Sequence, residues 1–327
     1  MWNNVIGQQR PKEILMNMFS KKRIPHAMLF HGPEGTGKDA AAVEFAMLVN
    51  CDSPVDGVNA CGACRNCRDI SLLRPPLMRF VTALPAGRNE SEDKALLTGY
   101  SGKKKVFMIS QADRMNQQSS NALLKVLEEP PEDNLLILTS SRINSLLPTI
   151  IGRCQLLRFD PLSDEDVHAF IKREHPELDG EASRFYAALS QGSISSCREI
   201  VEQDFLELRE KAISFLASSV TGRHLAAGKE IDSVIASKDK QKIKRFLSLL
   251  SVWFRDAALV ASGNEANVIN KDKLDRLRKF ASNFSINNYA VIKLIEEAVQ
   301  DIDRNIFPEL LLNELSMKIT GEMQAAG

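Results

Sequence analysis

The 327-residue sequence predicts an α/β domain built on a parallel sheet, then a small helical unit and an all-helical C-terminal region. Three observations carry this reading. Five short apolar runs between Ala27 and Phe159 alternate with helical segments, the pattern of a parallel sheet with helices on its faces. The first run leads into Gly32-Pro33-Glu34-Gly35-Thr36-Gly37-Lys38, a G-x4-G-K loop that opens a helical run from Ala40 to Val49. Beyond Asp204 the apolar residues recur at helical spacing.

Strands are expected from Ala27 to Phe30, Met78 to Leu84, Val106 to Ile109, Leu135 to Leu138 and Leu156 to Phe159. Between Ala86 and Lys105 the chain is rich in Gly, Ser and charge and shows no helix, although a parallel crossover needs one. A segment missing from this sequence is one explanation. Asp160 and Pro161 close the first domain, and Asp164-Glu165-Asp166 enrich the first turn of the next helix, where the macrodipole favours negative charge. Farther on, Ile243, Phe246, Leu247, Leu250 and Phe254 fall on one helix face, as do Ile292, Ile295, Val299 and Ile302. Such stripes are ordinary core faces or, less often, partner surfaces.

Composition narrows the class. Forty-four per cent of the residues are hydrophobic, enough for two or three domain cores. Forty-two basic residues balance forty-two acidic ones, so the net charge advertises neither a nucleic-acid coat nor an anionic membrane as partner. The N-terminus lacks a basic segment followed by an apolar run, and no stretch approaches the roughly 20 apolar residues that cross a bilayer. Six cysteines with four at metal spacing suit a reducing compartment, so the expected location is the cytoplasm.

Those four, Cys51, Cys61, Cys64 and Cys67, follow C-x9-C-x2-C-x2-C, which suits one tetrahedral ion, zinc above all. Four protein ligands leave no open position for water, so the site reads as structural. Four reduced, unliganded thiols are the bland alternative, and such a cluster would be prone to oxidation.

The glycine loop points its backbone N–H groups at phosphate, the helix N-terminus adds partial positive charge, and Lys38 reaches the terminal phosphates. The candidate nucleotide ligands are therefore Gly32, Gly35, Thr36, Gly37 and Lys38. A hydrolysing loop carries Ser or Thr after its lysine to hold magnesium, and here the residue is Asp39. The run from Val106 to Ile109 should deliver a magnesium-holding Asp and a water-activating Glu, and it delivers Ser110 and Gln111. A loop that only holds the fold and a loop that still binds nucleotide both remain open.

Taken together these motifs resemble the clamp-loader branch of the AAA+ ATPases, which serves bacterial DNA polymerase III. The resemblance runs through Ile6-Gly7-Gln8, Pro25 to Pro33, the cysteine module, Ala112-Asp113-Arg114-Met115, Asn121 to Pro131 and Leu147 to Cys154. It implies an AAA+ domain over 1–160 with a zinc module at about 50–70, a helical lid over 161–204 and a helical oligomerisation collar over 205–327. Gly152-Arg153-Cys154 matches the family's Ser-Arg-Cys motif with Gly for Ser, which makes Arg153 an arginine finger acting in trans on a neighbour's nucleotide. In the same family a lid arginine senses the γ-phosphate just after a Gly-Ser, and here Ser195 stands in its place. Cys154 reads as a small buried hydrophobe, since nothing near it suggests a lowered pKa.

The resemblance implies a non-hydrolysing clamp-loader subunit with structural Zn2+ and with ATP or ADP as possible loop ligands. Its partners would be gamma/tau-type ATPase and delta-type subunits, with the sliding clamp and primer-template DNA met through the complex and no membrane. The competing reading is an ATP-hydrolysing gamma/tau-type motor, against which Asp39, Ser110 and Gln111 stand. A free zinc module for nucleic acid would need a basic face with aromatic platforms, which two Trp and three Tyr do not furnish.

Overall fold

The computed structural model describes residues 2, 4–74, 78–82, 103–203, 205–304 and 306–325. They gather into two compact units, Met1–Glu174 with Ser190–Cys197, and His175–Leu189 with Arg198–Gly327. The gap proposed after Ala86 lies outside the described residues, as do the last two residues, 83 and 84, of the expected Met78 to Leu84 strand.

In the first unit five strands make one sheet: β1 (Ala27–His31), β2 (Met78–Thr82), β3 (Lys105–Ser110), β4 (Asn134–Ser140) and β5 (Gln155–Arg158). Every neighbouring pair is parallel, and the order is β2-β3-β4-β1-β5. Strand β1 is thus flanked by β4 and β5, with β3 one place farther out. The loop after β1 therefore opens beside the C-terminal ends of β4 and β3, the position where open α/β sheets bind ligands. The fifth strand starts one residue earlier than its apolar run, and Phe159 follows it, donating its N–H to His31 O at 2.8 Å.

Period-two alternation sorts the strand residues onto two cores, both covered by helices, which is why the runs read as nearly continuous apolar sequence. Met28, Phe30, Met108, Ile137 and Leu157 pack with Phe45 and Ala46 of α2 (Lys38–Asn50). Ala27, Leu29 and Leu138 face the other way, onto Leu123 and Leu127 of α4 (Gln117–Glu128) and Ile150 of α5 (Pro148–Ile151). Phe30 and Phe45 are wholly buried, and each contributes about 1.5–3 kcal/mol over an exposed phenyl ring. Asn116 caps α4 by accepting from Ser119 N–H at 2.8 Å, and Pro130 and Pro131 stop the helix from running on.

Helices α6 (Asp164–Glu174), α7 (Gly180–Leu189) and α8 (Ile194–Glu202) occupy the segment expected to be helical after the sheet. Ser163 Oγ accepts from Asp166 N–H at 3.1 Å and caps α6.

The second unit is helical from α9 (Phe205–Val220) to α14 (Pro308–Glu322) apart from one short antiparallel strand pair. The expected stripe on α11 (Lys240–Ala261) is buried in full: Ile243, Phe246, Leu247, Leu250 and Phe254 are each at most 1% exposed. The stripe on α13 (Asn288–Asp303) is displaced. Val291, Ile295, Ala298 and Ile302 are buried, while Ile292 and Val299 sit at the margin, because Val291 and Ala298 complete the same 3.6-residue row. Arg209 of α9 forks onto both carboxylate oxygens of Asp272, at 2.9 and 2.8 Å, with the Phe185 ring 4.1 Å from its guanidinium carbon. Among the described residues no helix is long and apolar enough to cross a membrane.

Candidate functional site

Of the five predicted residues, Gly32, Gly35, Thr36 and Gly37 lie in the loop between β1 and α2, and Lys38 opens α2. Glycine is required at two of them for close approach: a Cβ at Gly32 would stand 1.9 Å from Phe159 O, and one at Gly35 would stand 2.2 Å from Ser193 Oγ. Both also have left-handed φ or its neighbourhood, as does Gly37 at 89°. The loop is tied down on several sides. Gly32 N–H donates to Ser140 O at 3.2 Å, Ile194 N–H donates to Gly35 O at 3.0 Å, and Thr36 Oγ donates to Pro33 O at 2.9 Å. Gln8 Nε2 clamps the loop to the end of the sheet domain, donating to Thr36 O at 3.2 Å and Asp160 O at 2.7 Å.

Lys38 is buried and folds back on the loop, donating from Nζ to Gly32 O at 2.8 Å and Pro33 O at 2.6 Å. Burial lowers its pKa, against the pull of Asp39, Glu34 and Asp113, which raise it. The cation is therefore satisfied by the loop's own carbonyls.

The residue after it is bound in a way that decides the metal question. Asp39 Oδ2 accepts from Ser110 Oγ at 2.8 Å, and Asp39 Oδ1 accepts from Thr139 Oγ1 at 2.7 Å. Thr139 Oγ1 in turn accepts from Gln111 N–H at 3.3 Å. Ser110 and Thr139 are buried, whereas Asp39 is open to solvent at the mouth of the loop. A P-loop magnesium needs a hydroxyl ligand after the lysine and a carboxylate at the end of the adjacent strand. Here the two groups have changed places, and both carboxylate oxygens are engaged by hydroxyls. The residues present do not fit the magnesium of a hydrolysing site.

Arg153 lies on the turn between α5 and β5, apart from the loop. Its Nη2 donates to Glu128 Oε1 at 2.8 Å and its Nη1 to Thr149 O at 3.0 Å. Both partners of the ion pair are exposed, at 37% and 53% of their side chains, so the tether holds the guanidinium at the surface for less than about 1 kcal/mol. Cys154 beside it is half-buried, and burial pushes its thiol up to about 11, in keeping with a packing role.

The four cysteines converge. Their sulfur atoms all lie within 4.8 Å of one another, and Cys61 Sγ and Cys67 Sγ are 4.0 Å apart. A tetrahedral Zn–S₄ centre with bonds of about 2.3 Å needs S···S separations of about 3.8 Å, so the thiols fit one ion with small shifts. Local chain geometry builds the cluster. Val55 and Asn59 bridge antiparallel across a turn with Asp56 and Gly57 at positive φ, returning the chain from Cys51 to Cys61. Backbone N–H groups of Cys61, Cys64 and Cys67 donate to the sulfurs of Cys51, Cys61 and Cys64 at 3.3, 3.3 and 3.4 Å. Cys64 thereby caps the helix α3 (Arg65–Ser71). The N–H groups of Cys64 and Ala63 pull the Cys61 thiol down to about 6, whereas burial pushes Cys51 and Cys67 up. Cys67 and Ile70 belong to the same core as Phe45, which anchors the module to the sheet domain.

Three participants went unrecognised in the sequence. Thr139 carries no motif of its own, and Glu128 stands within the Asn121 to Pro131 stretch without any local sign that it meets Arg153; each becomes a partner only through the sheet order or the end of α4. Gln8 stood within the Ile6-Gly7-Gln8 box, yet nothing local to it signals a clamp on the loop.

Comparison with known proteins follows the same lines. A family model described as DNA polymerase III, delta subunit, matches residues 7–163. The delta′ subunit of DNA polymerase III from Bacillus subtilis is 29% identical over 95% of this chain and 96% of its own length. The tau subunit of the same organism is 28% identical over 97% of this chain but 61% of its own length. For the tau subunit of Escherichia coli the figures are 31%, 61% and 32%. Tau relatives therefore extend well beyond what this chain spans. A solved gamma-subunit-related protein of Thermotoga maritima superposes with a TM-score of 0.45 at 15% identity, covering 95% of this chain and 99% of that one.

Proposed function

We propose that the chain is a delta′-like subunit of the DNA polymerase III clamp loader, an AAA+ protein that does not hydrolyse ATP; the family match over residues 7–163 and the delta′ relative at 29% identity support this reading. The observation that carries the reading is the Asp39 carboxylate held between Ser110 and Thr139 where a hydrolysing site keeps magnesium. Two further features support it: Gln111 leaves no carboxylate at the strand end to activate water, and Ser195 replaces the lid arginine. The chain's work is then mechanical. It scaffolds a ring with gamma/tau-type and delta-type subunits in the cytoplasm and presents Arg153 to a neighbour's nucleotide. Through the complex it helps place the sliding clamp on primed DNA.

Three functional pieces serve this role: the AAA+ domain over 1–160, the lid over 161–204 and the collar over 205–327. Zinc at Cys51, Cys61, Cys64 and Cys67 is structural. Gly32, Gly35, Thr36, Gly37 and Lys38 remain the candidate contacts for ATP or ADP.

A gamma/tau-type motor is the second reading, favoured by the intact Lys38 and by the tau match over 97% of the chain. Reconstitution separates the two. Mixed with a gamma/tau-type ATPase and a delta-type subunit, the chain is expected to co-elute in one assembly and to be needed for clamp loading. Loading that proceeds equally well without it, or with it in place of the ATPase subunit, contradicts the delta′-like assignment.

A further inference from the structure

The hydroxyl after the lysine and the carboxylate at the end of β3 are not simply lost: they have exchanged positions. Asp39 now carries the carboxylate, Ser110 carries the hydroxyl, and the two are bonded at 2.8 Å. Thr139 holds the second carboxylate oxygen at 2.7 Å from the end of β4. One acidic side chain thus links the first turn of α2 to two strand ends. In a hydrolysing loop a metal ion mediates that linkage, bridging the corresponding hydroxyl and carboxylate to the phosphates.

We propose that Asp39 is a specificity determinant that excludes magnesium–triphosphate from this loop, its carboxylate making the bonds to β3 and β4 that a metal would otherwise mediate. Three features bear on this. Asp39 is exposed at the mouth of the loop, so its negative charge meets an incoming phosphate directly. Both of its oxygens already accept strong hydroxyl bonds, so a cation must break them to coordinate. Ser110 and Thr139 are neutral and buried, so no second carboxylate of this trio is available to help hold a divalent ion. The inference goes beyond the clamp-loader assignment, since it concerns what the loop accepts and not what Arg153 does to a neighbour.

Reversal of the exchange tests it. Binding of a fluorescent ATP analogue to the full chain is measured with magnesium and with EDTA, for the wild type and for the double variant Asp39→Thr/Ser110→Asp. Magnesium is expected to leave wild-type binding unimproved, or undetectable in both conditions, while the double variant gains about tenfold or more in affinity when magnesium is added. Should the double variant not fold, Asp39→Asn serves as the second arm: it removes the charge while keeping a hydrogen-bonding side chain, and it is expected to bind the magnesium–nucleotide about tenfold more tightly than wild type. Wild-type affinity that rises tenfold with magnesium overturns the proposal. So does a folded double variant that gains nothing, or an Asp39→Asn variant indistinguishable from wild type.

Discussion

Arg153→Ala in an otherwise complete clamp-loader assembly is expected to slow ATP turnover at the neighbouring site by about a thousandfold while leaving the assembly intact. The size of the effect follows from the chemistry. A guanidinium offers a fixed charge and a planar fork of donors to γ-phosphate oxygens as charge develops on them, and alanine offers neither. The sparing of assembly follows from the structure. The side chain's bonds, to Glu128 Oε1 and Thr149 O, lie at the surface, and losing them costs the fold less than about 1 kcal/mol. Arg153→Lys should recover only part of the rate, because an ammonium keeps the charge and loses the fork. Turnover measured at saturating ATP, alongside gel filtration of the same preparation, separates the outcomes. A variant that no longer assembles makes Arg153 structural, and one that turns over normally removes it from the neighbour's site.

The second large effect concerns the cysteine cluster. Cys67→Ser is expected to abolish stoichiometric zinc and to destabilise the first unit by about 4 kcal/mol or more, lowering its melting temperature by roughly 10 °C. The module is not an appendage: Cys67 and Ile70 are fully buried in the core that contains Phe45, so unravelling the cluster opens that core. Acid should have a related effect. Metal binds thiolate, and burial raises the Cys51 and Cys67 thiols, so at neutral pH zinc must displace protons from them. Affinity then falls as pH drops, and zinc is released on acidification and regained on return to neutral pH. Elemental analysis of the dialysed protein, paired with thermal melts, reads both predictions. A Cys67→Ser protein that keeps one equivalent of zinc, or melts with the wild type, contradicts them.

What was legible in the sequence and what was not divide along a physical line. The glycine loop, the four cysteines and the five apolar runs are local patterns, each contained within a few residues, and each took its expected place. Strand ends moved by a residue or so, as at β5, because apolar character and ladder hydrogen bonds need not stop together. The apolar row on α13 was found, but on Val291 and Ala298 as much as on the residues first counted, because rows three and four apart share a face. Partners distant in sequence could not be read at all. Thr139 meets Asp39 across 100 residues, and Glu128 meets Arg153 across 25, and only the sheet order and the end of α4 bring them together. The loss of Ser or Thr at position 39 and of Asp at position 110 was visible separately. That the two losses are one exchange became visible only when their side chains were found in contact.

The proposed role requires that this chain keep the shape of an ATPase without performing the reaction. Steady-state phosphate release by the purified chain alone, with saturating ATP and magnesium and with Lys38→Ala as the blank, tests it most directly. Release is expected to be indistinguishable from that of the Lys38→Ala protein. Sustained release that requires magnesium and disappears in Lys38→Ala would contradict it.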